Sequence, residues 1–122
     1  FATSQVHLGG SESALLANDL EGIHFVDAPW LLEDDHPAVM VHARPEQALS
    51  AELNRLYALG IDAYRLADEW RSNRERFELD GVTGWLQVDR ALGARAERWP
   101  SFAVFRKGRI ERLDVPRPGA WR

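Results

Sequence analysis

The groups able to do chemistry in this chain are scattered. Its four histidines stand at positions 7, 24, 36 and 42. No two lie four apart, so none has the one-turn helix spacing with which paired imidazoles grip a catalytic zinc. His24 with Asp27, and Asp35 with His36, could each touch a metal, but each pair lacks the third ligand that would define a site. A surface or half-buried histidine is the plainer reading. Glu33-Asp34-Asp35 supplies adjacent carboxylates. Acids in a charged loop ordinarily face water, whereas acid–base work needs them within hydrogen-bond reach of a transferable proton. Ser4, Ser11, Ser13, Ser50, Ser72 and Ser101 lack the strand–turn–helix context of an exposed nucleophile. Gly9-Gly10-Ser11 could cradle an anion at a helix start. The rest of a phosphate loop is missing, and a turn accounts for it. Arg106, Lys107 and Arg109 make a small basic tip that reads as a solvated turn. These residues together predict no catalytic residue, no bound metal and no cofactor.

Five tryptophans are the other chemical signal. Trp30 follows Pro29, Trp85 lies in a strand-like run, and Trp99 precedes Pro100. Such indoles could stack on a sugar or anchor a partner. Core or edge packing is their ordinary use.

The elements that must position these groups fit within one domain. The chain has 122 residues, 45% hydrophobic and 28% charged, with a net charge of −4. That composition suits a globular core rather than disorder. The negative balance argues against nucleic acid, which needs a basic stripe. Cysteine is absent, so disulfides, thiolate zinc sites and cysteine nucleophiles fall away together. No apolar run approaches the ~20 residues of a membrane span. The chain opens on Phe1 with no basic region followed by an apolar stretch, and we read it as a piece of a longer protein.

Residues 1–8 read as the tail of a strand, and Gly9-Gly10-Ser11 as a turn. Glu12 to Leu20 suits one or two helical turns. Ile23 to Trp30 reads as a strand with Ile23, Phe25 and Asp27 on one side. Pro29 ends its regular pairing. From about Pro45 to Trp70, Leu49, Leu53, Leu56, Tyr57, Leu59 or Gly60, Ala63, Tyr64, Ala67 and Trp70 recur at three- and four-residue steps. Ser50 or Pro45 marks the entry, and Gly60 is expected to divide two helices. Residues 71–76 are expected to finish the second helix. Val82 to Asp89 reads as a strand, and residues 90–98 as irregular or briefly helical. Ser101 to Phe105 and Ile110 to Val115 read as a β-hairpin, with Gly108 supplying the positive φ.

Three segments carry a resemblance. The first is Ala2-Thr3-Ser4-Gln5, leading to Asn18-Asp19-Leu20-Glu21-Gly22-Ile23-His24-Phe25-Val26-Asp27-Ala28-Pro29-Trp30-Leu31. The second runs from Asn54 through Gly60-Ile61-Asp62-Ala63-Tyr64 to Ala67. The third is Leu79-Asp80-Gly81-Val82-Thr83-Gly84-Trp85-Leu86-Gln87-Val88-Asp89, followed by the Phe102 to Leu113 hairpin. Together they resemble the end of the C-terminal domain of LppC/LpoA-type lipoproteins. The Gly-x-Asp-Ala-Tyr helix and Gly-x-Thr-Gly strand are also similar to type I solute-binding proteins generally.

The resemblance implies an α/β fold, a fragment of the two-lobed type I periplasmic-binding-protein-like architecture with its three crossover strands. Residues 1–122 would be the C-terminal part of that domain, with a further lobe and a lipid anchor upstream. Phe1 to Gln5 would end a second-lobe strand at the interlobe cleft, and Ile23 to Trp30 would run towards the third crossover. The helices would belong to the first lobe and the hairpin to the second. Thr3, Ser4, Gln5, Asp27 and Trp30 are the expected cleft-lining residues. The implied function is non-catalytic: a lipoprotein held to the inner face of the outer membrane by an upstream lipid, activating a class A penicillin-binding protein in peptidoglycan synthesis. The alternative is a receptor for a small polar solute. A fragment of such a body should expose apolar faces and open sheet edges, so self-association is also expected.

Overall fold

A computed structural model describes residues 19–93 and 95–117. Strand β1, His24–Asp27, buries alternate residues. It pairs antiparallel with β5, Ser101–Arg106, which pairs antiparallel with β6, Arg109–Leu113. A second antiparallel sheet has the order β2–β3–β4, formed by Arg76–Asp80, Trp85–Asp89 and Arg95–Trp99. Only Pro100 separates β4 from β5. It has no N–H to give either ladder, so the chain leaves one sheet there and enters the other.

The first sheet carries a small core. Phe25 and Phe105 stack with ring centroids 4.9 Å apart, and both are fully buried with Ala103. Each such phenyl ring stabilises by roughly 1.5–3 kcal/mol relative to exposure. The β5–β6 turn holds Lys107 and Gly108 at φ 52° and 74°. Two consecutive left-handed residues make the tight turn that matches strand twist. The glycine was legible in the sequence; the lysine was not.

The expected strand Ile23 to Trp30 is shorter than that. Pro29 both ends β1 and opens a helical turn, α1, Pro29–Leu32, at the position where its missing N–H costs nothing. A second turn, α2, Pro37–Met40, starts the same way, with His36 Nδ1 accepting from the Ala38 N–H at 3.2 Å.

The long periodic stretch forms one helix, not two. Helix α3 spans Ala51–Trp70, 20 residues. Ser50 caps it, its side chain accepting from the Leu53 N–H at 3.2 Å. Arg90 donates to the Trp70 carbonyl at 2.6 Å and lies over its ring, placing a cation at the helix C-terminus. Gly60 does not interrupt it. The position is exposed, and the propensity cost of about 1 kcal/mol is too small to break a helix held at other points. Residues 71–75 are not helical, and β2 begins at Arg76.

Two further corrections concern the second sheet. Val82 to Gly84 is a turn between β2 and β3, not the start of a strand. Arg95–Trp99 is a strand where irregular or briefly helical chain was expected; the helical part is a single 3-10 turn, Arg90–Leu92. Residues 95–98 are exposed, so β4 lacks the apolar alternation that announces a strand and rests on its ladder with β3.

Candidate functional site

Helix α3, the 81–84 turn and the β1–α1 segment meet through polar side chains. Asp62 is 1% exposed. Its carboxylate accepts from the Val82 N–H at 2.9 Å, the Thr83 N–H at 2.8 Å and the Thr83 hydroxyl at 2.5 Å. The first two of these bonds take up the Val82 and Thr83 backbone amides, which is why 82–84 does not extend the strand. A Cβ at Gly81 would meet the Gly84 carbonyl oxygen at 2.7 Å and overlap the Asp62 carboxylate; one at Gly84, where φ is 145°, would meet the Trp99 carbonyl oxygen at 2.6 Å. The Gly-x-Asp-Ala-Tyr and Gly-x-Thr-Gly segments are therefore two halves of one latch.

Asp27 and Trp30, two of the expected cleft residues, lie beside this latch, the Trp30 backbone N–H donating to the Val82 carbonyl at 3.0 Å. Asp27 is 4% exposed and receives Arg55 through both carboxylate oxygens, Nε at 3.1 Å and a terminal nitrogen at 2.9 Å. Its Oδ1 also accepts from the Ala28 N–H at 2.8 Å. This fork-to-fork geometry fixes β1 to α3. Trp30 is fully buried with Val39, Ala58 and Val82. Its indole N–H donates to Asn54 Oδ1 at 3.1 Å, and the Arg44 guanidinium lies 3.8 Å above its ring. Arg44 also donates to the Trp30 carbonyl at 2.8 Å. Thr3, Ser4 and Gln5 lie outside the described residues.

An open groove of ≈ 560 Å³ runs over this region, lined by Val26, Asp27, Arg55, Leu56, Leu59 and Thr83 among others. Arg55, Asn54 and Arg44 were not singled out as site residues in the sequence. A signal for the first two existed. Asn54, Arg55, Ala58 and Asp62 recur at three- and four-residue steps, a small-and-polar stripe facing the latch.

Several other candidates are engaged as structural groups, while His7, Gly9, Gly10, Ser11 and Ser13 lie outside the described residues. His24 and Asp27 stand on opposite faces of β1, because successive side chains alternate. Glu33 accepts from the Ser101 hydroxyl at 2.5 Å, Asp34 from Arg44 at 2.9 Å and Asp35 from Arg112 at 2.8 Å. The hydrogen bond from Arg112 holds the Asp35 carboxyl below its ordinary value, and Asp35 in turn raises the guanidinium. His36 turns Nδ1 to the α2 start and Nε2 towards Asp80, 3.6 Å away. The Ser101 hydroxyl thus faces a carboxylate, and His36 is directed elsewhere. Among the described residues no three potential metal ligands gather, and no helix is long and apolar enough to cross a membrane. At the basic tip, the Lys107 N–H donates to Glu21 at 2.8 Å.

Comparison with known proteins places this geometry. A curated relative, the penicillin-binding protein activator LpoA of Yersinia pseudotuberculosis serotype O:1b (strain IP 31758), is 41% identical over 70 residues, 56% of this chain and 10% of the relative. The protein of the same name from Vibrio cholerae serotype O1 (strain ATCC 39541) is 34% identical over 110 residues, 85% of this chain and 17% of its own length. The chain therefore spans about a tenth to a sixth of these relatives. A solved structure called a "putative branched-chain amino acid ABC transporter", from Chromobacterium violaceum ATCC 12472, superposes with a TM-score of 0.69 at 42% identity, over 84% of this chain and 32% of that one. The C-domain of LpoA from Haemophilus influenzae, titled a regulator of PBP1A, gives 0.70 at 24% identity over 93% of this chain and 36% of that domain, a likeness of fold alone. The chain is thus a fragment of a type I periplasmic-binding-protein-like α/β fold. Residues 1–108 match the family described as "LppC putative lipoprotein", and this chain belongs to that family.

Proposed function

We propose that this chain is the C-terminal part of the binding-protein-like domain of a periplasmic lipoprotein that activates a class A penicillin-binding protein by contact. In this reading the parent is tethered to the inner face of the outer membrane through an upstream lipid. The domain transforms nothing. Thr3, Ser4, Gln5 and Asp27 face the interlobe cleft with Trp30 buried behind its wall, and the rest of the parent domain covers the apolar face of α3. The observation that carries the reading is the family match along residues 1–108, whose curated relatives bear the activator name. The engagement of Asp27 with Arg55, and of Trp30 with Asn54 and Arg44, supports it. Those polar groups are satisfied within the protein, where a solute receptor would direct them at its ligand.

One observation favours a second reading. The ≈ 560 Å³ groove combines Val26, Leu56 and Leu59 with the Asp27–Arg55 pair, and the 42%-identical Chromobacterium structure bears a transporter name. A receptor for an amino acid would have such an apolar wall beside fixed charges.

The full-length parent separates the two. An activator is captured by a class A synthase in a pull-down and accelerates its glycan-strand synthesis. A receptor instead gains thermal stability with an amino acid; at 100 times Kd the expected gain is about 2.7 kcal/mol. No capture, together with strong stabilisation by a metabolite, would replace the first reading by the second.

A further inference from the structure

A second cavity, of ≈ 290 Å³, lies where the two sheets meet and takes no part in the latch or in the Asp27 groove. Trp85 and Trp99 line it from directly opposed positions on β3 and β4. Trp99 is braced by Phe102, with ring centroids 5.4 Å apart, and its indole N–H is buried without an acceptor. The carboxylates of Glu33, Asp80 and Asp114 share the lining with His36 and Arg117, so acidic groups outnumber the fixed cation there. Asp80 is 42% exposed and lies 3.6 Å from His36 Nε2, beyond a good hydrogen bond. The Arg117 guanidinium sits 3.5 Å above the centre of the Trp85 ring. An indole face attracts a cation through its quadrupole, and more strongly as water is excluded. Nearby carboxylates add Coulomb attraction and directed acceptors.

We propose that this cavity is a socket for a guanidinium, an arginine side chain of a partner protein, whose place on the Trp85 face is taken here by the chain's own Arg117. Arginine suits it better than a neutral sugar: the Trp85 face already carries a guanidinium, and the lining is net acidic. Arg117 is exposed, so a rotation of its side chain is enough to uncover the Trp85 face. The socket stands independently of which enzyme the parent activates, because its occupancy can be measured with no synthase present.

The test is calorimetric titration of the full-length parent with agmatine, whose guanidinium is joined to an ammonium, with putrescine as the ammonium-only control that should bind at least about tenfold more weakly, and with N-acetylglucosamine as the neutral alternative. Arg117→Ala removes the internal competitor and should tighten agmatine binding about tenfold, since apparent affinity rises as the competent fraction does. Adding Asp80→Asn or Trp85→Leu to that variant should each lose about tenfold or more. Circular dichroism checks the fold, and Asp80→Asn, an exposed isosteric change, carries the test if Trp85→Leu unfolds the domain. Agmatine binding no tighter in Arg117→Ala, indifference to Asp80→Asn, or preference for the sugar would each overturn the proposal.

Discussion

The two faces of helix α3 reverse the usual arrangement of an amphipathic helix. Its inner face, towards the sheets and the 81–84 turn, uses Ala51, Asn54, Arg55, Ala58 and Asp62. Several of its large apolar residues look away: Leu53 is 51% exposed, Leu56 62%, Leu59 45% and Tyr64 77%. Ala58 and Ile61 join the Trp30 cluster, but the helix is held to this chain largely by hydrogen bonds and ion pairs, and much of its apolar surface stays uncovered here. Polar contacts of that kind fix position well and contribute little net stability, whereas apolar burial does the opposite. The comparison teaches that the chain supplies the alignment of a larger body and not all of its core.

Breaking the inner face should have the largest effect. Asp62→Ala leaves two buried amides and a hydroxyl without their acceptor, and should destabilise the parent domain by about 3–5 kcal/mol in urea unfolding. An effect below about 1 kcal/mol would mean that the latch is dispensable.

The outer face should respond according to context. Leu56→Gln should change the stability of the 122-residue chain by less than about 0.5 kcal/mol, as at an ordinary exposed site. In the full-length parent the same change should cost about 2 kcal/mol, the loss of a buried leucine. Equal effects in both would dissolve the contrast.

The same substitution at two glycines should give opposite signs. Gly81→Ala forces a methyl onto the Asp62 carboxylate and should cost about 1–3 kcal/mol. At Gly60 a methyl meets nothing within 4 Å. In the 122-residue chain Gly60→Ala should therefore stabilise by up to about 1 kcal/mol through helix propensity. Thermal melts of the two variants check both.

The smallest effect is at the surface. The folded Asp35 carboxyl titrates below its ordinary value because Arg112 donates to it. Its contribution is therefore present above the ordinary carboxylate pKa and is lost as pH falls through the depressed folded value. Asp35→Asn should flatten that acid limb slightly, and added salt should do the same, because the pair is exposed.

How much of this was legible in the sequence differs by element. The β5–β6 hairpin was, because Gly108 sits between two runs of strand-forming residues. Helix α3 was legible as a helix, but periodicity does not say which face meets the rest of the chain. β4 was missed because Arg95, Glu97 and Arg98 face solvent and carry no pattern. Val82 to Gly84 read as strand because its alternation is genuine, and only Asp62, 20 residues earlier, takes its amides away. Of the five expected cleft residues, Asp27 and Trp30 fall beside the groove region with partners from α3 and Arg44, contacts that spacing along the chain could not announce. Thr3, Ser4 and Gln5 lie outside the described residues.

The central claim is that the outward leucines of α3 are an interior surface of the parent. Cysteine is absent from this chain, so Leu56→Cys gives a unique reporter within it. Thiol labelling at that position, followed by peptide mass spectrometry, should be fast in the 122-residue chain under dilute, monomeric conditions and at least a hundredfold slower in the folded full-length parent. Comparable rates in the two would show that the face stays open in the parent, and would contradict the account.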